Sequence, residues 1–298
     1  MLSPMKKKLF TMLRICISLS LIGLILWLMR DKLPDIIITI KSANRGLLIL
    51  GFLSYLSAAF LIGFRLRKIL SVQGIVLKPQ EAIYLTFIGY FFNNFLPTSF
   101  GGDVLKAYYA GKKSNKKAPA FAGVFMDRVL AMLPFTMIPT ITLTFFAHKV
   151  HNKAIYIAVY SIFCFCAFFL WLLLHKNTAN YIAVILKPFR TSLWYEKIRG
   201  GYEFLNIYSR RKIVLLWSFL FSVSAQSMSI ISAFIFARAI GVDHVGVGLF
   251  FIVVPIVWIM TLLPSLNGLG IREGAFLYLL KDYMLAEQAF AISVLVLA

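Results

Sequence analysis

Six charged side chains, Asp103, Lys106, Asp127, Arg128, Arg272 and Glu273, lie in or beside apolar stretches of this chain. At the centre of a hydrocarbon layer a carboxylate or guanidinium costs about 2.5–3.5 kcal/mol on insertion scales, so it must pair, face water or hold a ligand. Asp127 and Arg128 fall ten and eleven residues after Lys117, which is about 15 Å into a helical span. Arg272 and Glu273 are their expected partners, together with Asp103 and Lys106. Such a cluster suits two roles, an ion-pair network that locks the structure and a cationic seat for a phosphate group. Covalent and metal chemistry are not expected. Cys16, Cys164 and Cys166 fall inside apolar runs, and His148, His151, His175 and His244 fall at run ends, without metal-ligand spacing. There is no G-x4-G-K-S/T loop, so ATP is not the expected direct driver. No cofactor is implied.

The surrounding composition says what medium these charges live in. Of 298 residues, 60% are hydrophobic and 14% charged. A soluble domain carries roughly 25% charged residues, so the expected solvent is lipid. The formal charge of +20 invites a nucleic-acid partner, but Lys and Arg come in short runs between apolar stretches, the pattern of loops flanking membrane spans. Nucleic-acid binding is therefore not expected.

Residues 9–29, 46–64, 118–147, 153–174 and 212–240 are long and apolar enough to cross a bilayer. The first follows Lys6, Lys7 and Lys8 and lacks a small-residue cleavage site, so it reads as an uncleaved anchor. The apolar tail 285–298 covers only about 21 Å as a helix, which places the end of the chain inside its last expected span. Residues 82–100 and 245–266 are apolar as well, but both run into Pro/Gly-rich polar sequence.

Positive charge decides between topologies. If every apolar stretch crosses once, the basic loops 106–117 and 175–212 fall outside, against the positive-inside tendency. If the first Pro/Gly-rich stretch instead enters and leaves from the cytoplasmic side, 21 Lys and Arg lie inside and 7 outside. The expected fold is thus an all-α polytopic membrane protein, one domain over 1–298. It has about six transmembrane helices and two re-entrant hairpins, about 82–112 and 245–282, with a cytoplasmic N-terminus. The stretch 179–212 interleaves Trp194, Tyr195, Tyr202 and Phe204 with Lys187, Arg190, Lys197 and Arg199, and reads either as an interfacial amphipathic segment or as an ordinary loop.

The two hairpins resemble each other. Pro97 precedes Gly101 by four residues and Pro264 precedes Gly268 by four; a hydroxyl residue follows each Pro, and an acid and a base close each segment. In the favoured topology they enter from opposite faces, the arrangement of an inverted repeat with a transporter-type site near the midplane. Pro97 and Pro264 stop the incoming helices, while Gly101, Gly102, Gly268 and Gly270 permit a turn. New half-helices are expected to start near Asp103 and Ile271, each offering open backbone N–H groups to an anion. Pro134 and Pro139 are expected to bend the span that carries Arg128. The polar run Ser222, Ser224, Gln226, Ser227, Ser229, Ser232 suits either a hydrophilic groove or interhelical hydrogen bonds.

The stretches FNNFLPTSFGGDVLKAYYAGKK (92–113), FMDRVLAML (125–133) and LPSLNGLGIREGAFLYLL (263–280) resemble the lysylphosphatidylglycerol synthase transmembrane-region family, in the same order and over nearly the whole chain. The resemblance implies a flippase-like domain that moves anionic or aminoacylated phospholipid headgroups between leaflets of the cytoplasmic membrane. It carries over Asn93, Asn94, Pro97, Gly101, Gly102, Asp103, Asp127, Arg128, Gly270, Arg272, Glu273 and Gly274 as motif residues. The synthase half seen in multiple peptide resistance factors is absent, so aminoacyl transfer is not expected of this chain. On this reading Arg128 and Arg272, helped by the half-helix N-termini, seat the phosphate, with Lys106, Asn93 and Asn94 as further candidates for headgroup binding. Asp103, Asp127 and Glu273 hold those cations or meet a cationic headgroup. Expected partners are membrane phospholipids, with a homo-oligomer or an envelope-biosynthesis protein as further options. Two rival functions stay open, a membrane transferase for lipid-linked substrates and a non-transporting accessory protein of envelope lipid or glycan synthesis.

Overall fold

The computed structural model describes residues 30–95, 101–145, 153–175, 204–261 and 268–297, with isolated positions before Arg30. Among these residues the fold is helical throughout. In chain order come α1 (Leu33–Lys41), α2 (Arg45–Val72), α3 (Pro79–Phe95), α4 (Gly101–Ser114), α5 (Lys117–Phe145), α6 (Lys153–Leu174), α7 (Lys212–Ala239), α8 (Val247–Met260), α9 (Ile271–Leu280) and α10 (Ala286–Leu297). Four of the described helices are long and apolar enough to cross a membrane: Arg45–Val72, Lys117–Phe145, Ala154–Leu174 and Lys212–Ala239. These answer to the expected spans 46–64, 118–147, 153–174 and 212–240. The expected span 9–29 and most of the stretch 179–212 lie outside the described residues.

Helix α2 departs from expectation. It runs 28 residues, about 42 Å, and so takes Arg65, Arg67 and Lys68 into the helix instead of a loop. Nothing between Gly63 and Val72 breaks it, and Leu66, Ile69 and Leu70 continue its buried face. It stops where Gly74 adopts φ +69°, with Ile75 N–H bonded to Leu70 O (3.1 Å) and Gly74 N–H to Ser71 O (3.0 Å). This is a Schellman ending, in which only glycine takes the left-handed position without strain. Helix α7 ends the same way at Gly241 (φ +85°), with Val242 N–H on Ala237 O at 3.0 Å.

These two long helices form an antiparallel spine. Ser232 Oγ donates to Gly51 O (2.7 Å), Ser54 Oγ donates to Met228 O (2.9 Å), and Asn44 N–H reaches Ala239 O (2.8 Å). The helices approach closely because Gly51 has no Cβ, which would stand 2.6 Å from the Phe236 ring. One serine in the polar run of α7, Ser232, is thus spent on an interhelical hydrogen bond.

Helices α3 and α4 make an antiparallel hairpin packed on α2 and α5 through Leu66, Leu70, Leu85, Ala107, Ala110 and Val124. Its open end is marked by the Glu81–Lys113 ion pair. Toward its tip, Asn93 Oδ1 accepts the Gly102 N–H (2.8 Å). The two helices cross so tightly that a Cβ on Gly102 would collide with the Gly89 carbonyl, and one on Gly89 with the Lys106 side chain. Helices α8 and α9 make a second hairpin, buried against α7 and α10 through Ala233, Ala237, Val254, Phe276 and Ile292. A His244 ring nitrogen lies 2.7 Å from Tyr283 O at its open end. Gly268 (φ +78°) and Gly270 (φ +83°) turn the chain into α9.

The two hairpins open toward opposite ends of the spine. The mouth of the first lies with the loop after α2 and with residues 204–211. Lys116 Nζ donates to Gly74 O (3.2 Å), Gln73 Nε2 to Phe204 O (2.7 Å) and the Tyr208 hydroxyl to Ile69 O (3.0 Å). The mouth of the second lies with the start of α2 and the end of α7. Pro97 and Pro264, expected to stop the incoming helices, are outside the described residues. The half-helices begin at Gly101 and Ile271, where the sequence placed them. Helix α5 continues through Pro134 and Pro139.

Replacing Gly102 by Ala should force α3 and α4 apart and lower stability by about 1–3 kcal/mol. Gly246→Ala, at a position with nothing within 4 Å of its Cβ, should stay within about 0.5 kcal/mol. Thermal unfolding in detergent of both variants checks this; equal effects would contradict the tight crossing.

Candidate functional site

The charged side chains gather in two clusters, one at each hairpin. The first is built on a pair that the sequence reading did not anticipate. Arg65 on α2 binds Asp127 on α5 in bidentate fashion, Nε to Oδ1 at 2.7 Å and Nη2 to Oδ2 at 2.9 Å. Its remaining nitrogen donates to Ser222 Oγ on α7 (2.9 Å), which in turn donates to Ser218 O (2.7 Å). Both charged residues are 5% exposed. A fork-to-fork geometry with every guanidinium nitrogen engaged is the arrangement in which a desolvated pair holds. It ties α2, α5 and α7 together at one level.

Arg128, the next residue, is turned about 100° around α5 and meets the hairpin instead. Its Nε lies 3.5 Å from Asp103 Oδ2, and its side chain keeps 35% exposure. Lys106 Nζ donates to Asp103 Oδ1 at 3.0 Å. Lys106 is buried, runs past Gly89 and ends 6.0 Å from the centre of the Tyr90 ring. Asp103 Oδ2 is buried and accepts no hydrogen bond among the described residues. Two cations on one carboxylate leave this trio with a net positive charge, and its most accessible member is Arg128.

The second cluster is a closed pair. Glu273 Oε1 accepts Nε (3.2 Å) and Nη2 (2.5 Å) of Arg272, and its Oε2 accepts the Gly270 N–H (2.6 Å). Two tyrosines lie near the charged groups. Tyr55 on α2 lies within electrostatic range of Arg272 and of Tyr90, and Tyr90 within range of Arg65, Asp127 and Arg128.

The expected convergence of Asp103, Lys106 and Arg128 is present. The single cluster joining both hairpins is not: Asp127 pairs with Arg65, and Arg272 pairs with its own neighbour Glu273. The helix starts differ from expectation too. The Gly102 N–H is taken by Asn93 and the Gly270 N–H by Glu273, so these groups are not open to an anion. Asn93 is therefore a tie within the hairpin. Gly274 N–H bonds Gly270 O (3.1 Å) inside the first turn of α9. The side chain of Asn94 lies outside the described residues. Arg65 was missed because a charged residue was taken to end the span. The unbroken apolar pattern Leu66, Ile69, Leu70 was the signal that the helix goes on. Among the described residues, no three His, Cys, Asp or Glu side chains come together as a metal site would require.

Long apolar helices, lipid-facing side chains such as Leu50, Phe52 and Phe165, and paired charges held inside define a helical membrane protein. The chain belongs to the lysylphosphatidylglycerol synthase transmembrane-region family, whose sequence model matches residues 12–298. Comparison with curated proteins and with solved structures gives no match.

Removing one partner of the Arg65–Asp127 pair strands a buried charge. Asp127→Ala should destabilise by about 3–5 kcal/mol, whereas the double variant Arg65→Met, Asp127→Leu should recover most of that loss. Denaturation in detergent decides; a near-neutral Asp127→Ala would show that the pair contributes little.

Proposed function

We propose that this protein is a flippase-like phospholipid transporter of the cytoplasmic membrane that moves anionic or aminoacylated headgroups between leaflets. The observation that carries the reading is the Asp103–Lys106–Arg128 trio, a net-positive group between α4 and α5 with one partly accessible guanidinium. A phosphate group entering beside Arg128 replaces a long 3.5 Å ion pair with a shorter charge-assisted one. The acyl chains stay in lipid against the apolar exterior, so only the headgroup needs a polar route.

In this reading the two short-helix pairs are re-entrant hairpins that dip into the bilayer from opposite faces. Their helices, of 17, 14, 14 and 10 residues, reach about 25, 21, 21 and 15 Å, less than the roughly 30 Å core. An orientation with the first mouth cytoplasmic is supported by its basic rim, which includes Lys78, Lys112, Lys113, Lys116 and Lys117. With the expected span 9–29 crossing once, that orientation goes with a cytoplasmic N-terminus. Each hairpin packs along one side against long helices, and non-helical backbone at membrane depth persists where protein or water satisfies it.

Translocation of acyl-chain-labelled phosphatidylglycerol in proteoliposomes tests the proposal. The double variant Arg128→Gln, Arg272→Gln should lose at least tenfold in rate, the equivalent of about 1.4 kcal/mol in the barrier. Unchanged translocation by that variant, or none by the original protein, would overturn it.

A further inference from the structure

The two charged clusters are separated along the spine, and a headgroup leaving one must be held before it reaches the other. The helix register shows what lies between them. The contacts Gly51–Ser232, Ser54–Met228 and Arg65–Ser222 fix α2 and α7 as antiparallel neighbours. Gln226, between Ser222 and Met228, is therefore level with the turn of α2 that begins at Tyr55. It also sits at the middle of the 28-residue helix α7, so both side chains fall near the centre of a spanning helix pair.

Gln226 Nε2 is buried and makes no hydrogen bond among the described residues. Turning the amide over does not help, because its oxygen would then take the same place. Ser218, Ser222 and Gln226 repeat at four-residue steps on one stripe of α7. Ser222 on that stripe is already committed to Arg65 and Ser218 O. A buried amide left without a partner costs about as much as one lost hydrogen bond, and leucine of similar size would avoid that cost. Tyr55 complements it. It keeps 37% of its surface accessible while lying within electrostatic range of both Arg272 and Tyr90. The two residues thus offer neutral donors at mid-depth, on the turns of α2 and α7 between the Arg65–Ser222 and Gly51–Ser232 contacts.

We infer that Tyr55 and Gln226 form a neutral hydrogen-bonding station that takes the phosphodiester of a phospholipid headgroup as it passes between the two hairpins. This rests on the flippase reading above. Neutral donors suit the position: a third full cation at mid-depth would trap the phosphate, whereas a hydroxyl and an amide hold it and release it. The station replaces the water that the phosphate loses on entry with fixed dipoles.

The test compares the full chain with Tyr55→Phe and with Gln226→Leu in phosphatidylcholine vesicles containing acyl-chain-labelled phosphatidylglycerol. Each substitution should slow phosphatidylglycerol translocation roughly tenfold, the value of one hydrogen bond to a charged group. Thermal unfolding should leave Tyr55→Phe unchanged and make Gln226→Leu more stable, because an unpartnered amide has been removed. Slower transport together with lower melting temperatures would assign the residues to packing and overturn the station. Translocation within twofold of the original protein in both variants would also overturn it, while leaving the flippase reading intact. No translocation by the original chain would remove both.

Discussion

A charge inside a membrane protein must be neutralised within the protein, and here the interior is arranged around one such neutralisation, Arg65 with Asp127. The pair joins α2 to α5 by two hydrogen bonds and reaches α7 through Ser222. Three helices are thereby fixed at one level by groups that tolerate little misplacement, since any loss of geometry leaves a desolvated ion. With Asp127 engaged, its neighbour Arg128 is directed away from the spine toward the hairpin. The pair thus contributes to both the frame and the orientation of Arg128, the most accessible cation of the first cluster.

The hairpins depend on that frame and on the absence of side chains at a few positions. Gly89 and Gly102 let α3 and α4 cross with backbone against backbone, and the room at Gly89 is where Lys106 passes to reach Asp103. At the other hairpin, Gly268 and Gly270 adopt positive φ, and Glu273 closes the turn by accepting the Gly270 N–H while holding Arg272. Each hairpin thus carries its own carboxylate and its own cation. Electrostatic closure is local, within a hairpin and its nearest long helix.

Much of this was legible in the chain itself. The four described spanning helices follow from apolar length, and the starts of α4 and α9 follow from the Pro-x3-Gly spacing. The meeting of Asp103, Lys106 and Arg128 follows from the demand that intramembrane charges find partners. What was not legible depends on tertiary register. Asp127 and Arg65 are 62 residues apart, and only the packing of α2 on α5 brings them together. Charge alone suggested that the second span stops before Arg65, whereas a helix ends where its backbone must turn, at Gly74. The N–H groups at the helix starts looked open because the side chains that take them, Asn93 and Glu273, act across a turn and not along a periodic face.

The opposed hairpin mouths give the most direct test, because the transport reading requires them to face opposite sides of the membrane. In a chain with Cys16, Cys164 and Cys166 replaced by Ala, single cysteines at Ser114 and at Asp282 can be labelled with a membrane-impermeant maleimide from either side of oriented vesicles. Labelling of Ser114→Cys from the cytoplasmic side alone and of Asp282→Cys from the other side alone is the predicted result. Labelling of both from the same side would contradict the inverted arrangement and, with it, a polar route from one face of the membrane to the other.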